Sequence, residues 1–169
     1  MTDREPGSGP GSAGADVGGA RNRRYAILAA AFNEPVVEKL VDGARSCFDE
    51  RGVPDGNVTV AWTPGAFELP LAAKAAAASG GFDAVVCLGA VIRGETSHFD
   101  FVAGEAARGI REAGMETGVP VIFGVLTTDT IQQALDRAGG VHGNKGREAA
   151  LAAMQMVTFL DQFRADRGE

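Results

Sequence analysis

Short apolar runs alternate along the chain with longer stretches whose apolar residues recur at helical spacing. Residues 25–32 form the first run, and after it Val36, Val37, Leu40, Val41, Ala44, Cys47 and Phe48 share one helix face, with Asn33 as its cap. Residues 58–63 are a second strand; PGAFELP then breaks the chain, and residues 71–79 form an alanine-rich helix stopped by Gly80 and Gly81. Residues 84–90 are continuously apolar, VIRGETSH interrupts them, and Phe99, Val102, Ala103, Ala106 and Ile110 mark a third helix ending near 114–118. Residues 119–126 are a fourth strand. Asp129 is expected to cap a helix to about Ala138, and Asn144 a last helix to about Phe163.

Unbroken apolar strands separated by helices predict a parallel sheet covered on both faces, with right-handed crossovers. The fold class is therefore α/β, a three-layer α/β/α domain around a four-stranded, flavodoxin-like parallel sheet. Ahead of it, residues 1–22 are rich in Gly, Ser and Pro and bury too little apolar surface to offset their ordering entropy. They are expected to be a disordered tail preceding one domain over 23–169.

Composition narrows the function classes. A chain of 169 residues with 45% hydrophobic content builds a core without metal or disulfide staples. A net charge of −6 offers no basic field, which argues against nucleic acid or an anionic membrane as partner. Cys47 and Cys87 lie in apolar stretches and are expected to be buried, reduced thiols. The N-terminal segment lacks the apolar centre of a secretory signal, and no run is long enough to span a bilayer. Together these predict a soluble, cytoplasmic protein.

In open parallel sheets ligands bind outside the carboxyl ends of the strands, so the loops after Phe32, Thr63, Ala90 and Leu126 are where chemistry is sought. Phe32 suits stacking on a planar heterocycle or a place in the core. Glu68, after the proline-fixed loop 63–70, suits either ligand hydroxyls or the positive end of a helix. The run Gly94-Glu95-Thr96-Ser97 opening a helix suits phosphate capture by backbone N–H groups or an ordinary cap. His98 lies in that first turn, where the helix dipole favours a neutral, proton-accepting imidazole; no second His or Cys lies at metal-ligand spacing beside it. Arg137 and Lys145, beside Gly-rich turns, fit phosphate contacts or helix-end complements equally.

Taken together, Phe32-Asn33, PGAFE, GAVIRGETSHFDFV, FGVLTTDT and RAGGVHGNKG resemble the lumazine synthase family in order and spacing, over about residues 24–163. The resemblance implies condensation of 5-amino-6-(D-ribitylamino)uracil with 3,4-dihydroxy-2-butanone 4-phosphate, in the penultimate step of riboflavin biosynthesis, without metal or redox cofactor. It implies that Phe32, Ala66, Phe67, Glu68, Ala90, Val91 and Ile92 hold the pyrimidine, that Glu95, Thr96 and Arg137 hold the phosphate, and that His98 moves protons. It further implies homopentamers in which Phe123, Arg137 and Lys145 serve the neighbouring subunit's site. A short turn at 139–146 without insertion is similar to that of members forming sixty-subunit shells, and riboflavin synthase is an implied partner. Ala31, Thr63 and Ser97 stand where other residue types are common in the family, and the N-terminal tail exceeds what the core needs.

Three other readings compete: a non-catalytic flavin- or lumazine-binding protein, a structural container, and a generic flavodoxin-like phosphate-ligand domain, which is all the unaided α/β pattern supports.

Overall fold

Residues 17–165 are described by the computed structural model. The chain runs β1 (Tyr25–Ala30), α1 (Glu34–Glu50), β2 (Val58–Thr63), α2 (Leu69–Ala78), β3 (Ala84–Ile92), α3 (His98–Thr117), β4 (Val121–Thr128), α4 (Ile131–Asp136), β5 (Ala138–Gly140), β6 (Gly143–Asn144) and α5 (Lys145–Ala165). The four long strands form one parallel sheet in the order β2-β1-β3-β4.

Strand periodicity divides the core. In β1 all six residues are buried: Tyr25, Ile27 and Ala29 pack on one face with α1 and α5, while Ala26, Leu28 and Ala30 pack on the other with α2 and α3. β3 divides the same way, Val86 and Leu88 against Val85 and Cys87. The expected three-layer α/β architecture is thus observed. β2 lies at the sheet edge, and Trp62 is exposed on it.

Element ends differ from the sequence reading where local chemistry overrides periodicity. β4 starts at Val121 because Pro120 has no N–H to give the ladder, and it runs on to Thr128 paired with the last residues of β3. α2 starts at Leu69, ahead of expectation, since Pro70 is tolerated in a first helical turn. Thr130, not Asp129, caps α4: its hydroxyl accepts from Gln133 N–H at 3.2 Å while the Gln133 side chain accepts from Thr130 N–H at 3.3 Å. Asn144 does cap α5, accepting from Arg147 N–H at 3.1 Å. The small β5–β6 ladder, turning through Gly139 and Gly143 with positive φ, is too short to leave a hydrophobic period.

The first sixteen residues of the expected tail lie outside the described residues, as does the end of the domain after Ala165. Residues 17–22 depart from tail behaviour. Val17 and Ala20 are buried in the core, and the Tyr25 hydroxyl donates to the Ala20 carbonyl at 2.7 Å. Tyr25 also packs on Phe48 with ring centroids 4.6 Å apart. Arg23 pairs with Asp161 of α5 at 2.8 Å and with Asp83 at 3.6 Å. Composition misses this packing because two small apolar side chains in a Gly-rich stretch find a preformed surface on α5 and Tyr25.

Two helix pairs approach closely through glycine. A Cβ on Gly146 of α5 would fall under 3.0 Å from the carbonyl oxygen, carbonyl carbon and Cα of Leu40 in α1, and one on Gly109 of α3 would strike Pro70 of α2. Backbone atoms cannot yield as a side-chain tip can. Gly146→Ala is therefore expected to destabilise the fold by about 1–3 kcal/mol or more, read as a lower denaturant midpoint at unchanged slope.

Candidate active site

The order β2-β1-β3-β4 places the chain's change of direction between β1 and β3. α1 leaves β1 for one face of the sheet, and α3 leaves β3 for the other. A crevice opens between the departing segments at the carboxyl ends of the strands. A cavity of about 650 Å³ occupies this place.

Its walls come from four stretches. Phe32 follows β1; Pro64, Gly65, Ala66, Phe67 and Glu68 follow β2; Ala90, Val91 and Ile92 end β3; Gly94, Thr96, His98, Phe99, Phe101 and Val102 belong to the next loop and α3. Main-chain bonds continue past the strands to align the first two stretches, Ala31 N–H donating to Thr63 O at 2.8 Å and Phe32 N–H to Pro64 O at 3.2 Å. Thr63 Oγ1 donates to Gly65 O at 3.0 Å, and a one-turn helix over Ala66–Glu68 presents the Glu68 carboxylate.

Asn33 follows Phe32 and turns the chain into α1. It is the one described residue other than glycine with positive φ, 63°, which Asn tolerates better than most side chains. Its side chain makes no cap bond to α1, as the sequence suggested it would, and instead donates from Nδ2 to the Ala90 carbonyl at 2.8 Å, bridging β1 to β3. Phe32, just before this turn, is 72% exposed, so the core reading of Phe32 fails.

At the start of α3, Ser97 holds the cap position without a side-chain bond, while Thr96 Oγ1 accepts from His98 N–H at 3.3 Å. Thr96 is thus a local cap as well as a wall of the cavity. His98 opens the helix on the cavity side. Arg93, just before, donates from Nε to Asp129 Oδ1 at 2.9 Å, lies 3.5 Å from Asp100, and stacks 4.3 Å above the Phe99 ring. These carboxylates, Asp129 foremost, hold its guanidinium firmly charged.

Of the sequence-predicted residues, Phe32, Ala66, Phe67, Glu68, Ala90, Val91, Ile92, Thr96 and His98 come together here. Glu95, Phe123, Arg137 and Lys145 are not in the lining of this cavity. Arg137 ends α4 with Nη1 donating to Gln133 O at 3.0 Å. Phe123 lies on edge strand β4, 37% exposed, and Lys145 opens α5 beside Glu148 at 3.4 Å. Phe101 and Arg93 were missed by sequence reasoning. His98, Phe101 and Val102 stand at helical i, i+3 and i+4, a spacing that puts an exposed aromatic on the histidine's face.

Neither thiol takes part. Both cysteines are free and buried, and burial pushes Cys87 up to about 12 and Cys47 up as well. Among the described residues no three His, Cys, Asp or Glu side chains are grouped to hold a metal, and no helix is long and apolar enough to cross a membrane.

Fold and site together define an α/β domain with a cavity among aromatic side chains beside a polar helix start. The sequence model of the 6,7-dimethyl-8-ribityllumazine synthase family matches residues 22–161. The chain belongs to that family, and its function is that of a lumazine synthase, a transferase of riboflavin biosynthesis.

Replacing Asn33 separates its two tasks. Asn33→Gly keeps the positive φ and loses the bond to Ala90, whereas Asn33→Ala loses both; the alanine variant should unfold more easily than the glycine variant by about 1 kcal/mol in denaturant titrations.

Proposed function

We propose that this cavity condenses 5-amino-6-(D-ribitylamino)uracil with 3,4-dihydroxy-2-butanone 4-phosphate. The observation that carries the reading is that aromatic rings, a carboxylate, a hydroxyl and an imidazole converge in a cavity whose lining holds no Lys or Arg. The lining suits a polyhydroxylated heterocycle, and a bound phosphate needs a cation from elsewhere.

Phe32 stacks on the pyrimidine, with Phe67 beside it, and Ala66, Ala90, Val91 and Ile92 shape the slot. Glu68 accepts from ribityl hydroxyls. Thr96 and Glu95, at the start of α3, lie against the phosphate, where helix N–H groups favour an anion. The pyrimidine's 5-amino group attacks the ketone and loses water to give an imine; the phosphate ester is eliminated; ring closure by the ribitylamino nitrogen loses a second water and yields 6,7-dimethyl-8-ribityllumazine. His98 carries protons between these steps. Holding two substrates in contact supplies much of the rate.

The missing cation is Arg137 of a neighbouring subunit, with Phe123 and Lys145 from the same neighbour closing the site. Support comes from their place outside the cavity of their own chain and from the exposure of Phe32, Phe67 and Phe101, which a second copy would cover. A ring of five subunits gives each site one donor, and the short 139–146 turn favours twelve such rings in a shell of sixty. The catalytic domain proposed for residues 23–169 is extended at its start by the docked segment 17–22. The product makes riboflavin synthase a fitting partner, and the cytoplasm is the expected location.

Mixing the purified chain with both substrates should generate the lumazine chromophore, and none above background at any protein concentration would refute the assignment. His98→Ala should slow turnover by about 10²-fold or more without abolishing it. Neither His98→Ala nor Arg137→Ala homo-oligomers should match mixed assemblies of the two, in which some sites regain an intact His98 and an intact Arg137; equal activity in mixed and unmixed preparations would refute site sharing.

A further inference from the structure

The loop between β3 and α3 carries Thr96 and leads into His98, yet the residues from Arg93 to His98 are all exposed and are not packed into either core cluster. Its fixation comes mainly through one side chain. Arg93 N–H extends the β3–β4 ladder by donating to Thr128 O at 2.8 Å. Its guanidinium then spans from Asp129, just past β4, to Asp100 in the first turn of α3, and its central carbon lies over the ring of Phe99, a wall of the cavity next to His98. Asp129 is left available for this by the cap of α4, which falls on Thr130.

We propose that Arg93 is a positioning residue for the transferase reaction, clamping the first turn of α3 to the end of β4 so that His98 and Thr96 face the bound substrates. The role rests on the assignment of His98 and Thr96 given above. Arg93 is already engaged by two carboxylates and does not line the cavity, so it serves the site through Asp129, Asp100 and Phe99 and not as a ligand to phosphate. The planar fork matters as much as the charge, because its Nε binds one carboxylate while its central carbon stays over a ring. A flexible ammonium cannot do both.

The test compares Arg93→Ala, Arg93→Lys, Asp129→Asn and the Arg93→Ala/Asp129→Asn double variant in the full chain. It reads kcat and KM for each substrate beside thermal unfolding and light scattering. Arg93→Ala should lower kcat about tenfold with little change in KM for the pyrimidine, because a misplaced proton-transfer group costs rate more than binding. Arg93→Lys should recover only part of that loss. Asp129→Asn should lower kcat alone but add nothing in the Arg93→Ala background, since both remove the same clamp. Assembly and unfolding temperature should stay near those of the unmodified protein.

Three results would overturn the proposal: kcat unchanged in every variant; a rise confined to KM for the butanone phosphate with Asp129→Asn silent, which would make Arg93 a phosphate ligand; or losses of rate that merely track losses of assembly. Should Arg93→Ala not fold, Arg93→Lys and Asp129→Asn decide on the same criteria. An unmodified chain without turnover would instead refute the catalytic assignment on which the proposal rests.

Discussion

The divergence of β1 and β3 is the constraint on which the site depends. The two strands are hydrogen-bonded neighbours, yet the chain leaves one toward the α1–α5 layer and the other toward the α2–α3 layer. Among the described residues the departing segments leave a cavity there. Because both strands are buried on both faces, the floor of that space is apolar, while the polar groups at its rim, Glu68, Thr96 and His98, stand exposed. The Asn33–Ala90 bond ties the two diverging segments at their root and keeps the gap at a fixed width.

Helix spacing then fixes how far the walls stand apart. Gly109 lets α3 lie directly on Pro70 of α2, which brings the face bearing His98, Phe101 and Val102 toward the β2 loop. Gly146 plays the same part between α5 and α1 on the opposite layer. Gly124 in β4 leaves room for Leu88 and Ala149, so α5 can settle close to the sheet edge. In each case a missing side chain sets a distance between elements that a larger residue would widen.

Much of the layer structure was legible because burial leaves a period in the sequence: Val36, Val37, Leu40, Val41 and Ala44 could only be one face of a helix, and residues 84–90 could only be a doubly covered strand. Caps were less legible. Asp129 and Thr130 are both good cap residues, and only the reach of Gln133 and the pull of Arg93 on Asp129 decide between them. Glycines that serve close approach look the same in sequence as those that end helices. At the site, residues read singly gave an α/β domain with an anion-favouring helix start and a nearby histidine; the substrates came from family resemblance. Phe32 could not be told from a core aromatic, because an aromatic at a strand exit suits either place; in the fold it is exposed. Arg137 and Phe123, also candidates in the sequence, lie outside the lining of this cavity in their own chain.

The packing of residues 17–22 has an optical side. The chain holds a single tyrosine and a single tryptophan. Tyr25 lies buried at the root of β1 with its hydroxyl on Ala20, where burial, helped by Asp83, pushes the phenol's ionisation up. Trp62 stands exposed on the edge strand at the other end of the register, close before the Pro64–Glu68 wall of the cavity. The two chromophores therefore report on different ends of the sheet: the phenol on whether the segment before β1 remains docked, the indole on events beside the ligand loop. The native chain thus carries its own pair of local spectroscopic reporters.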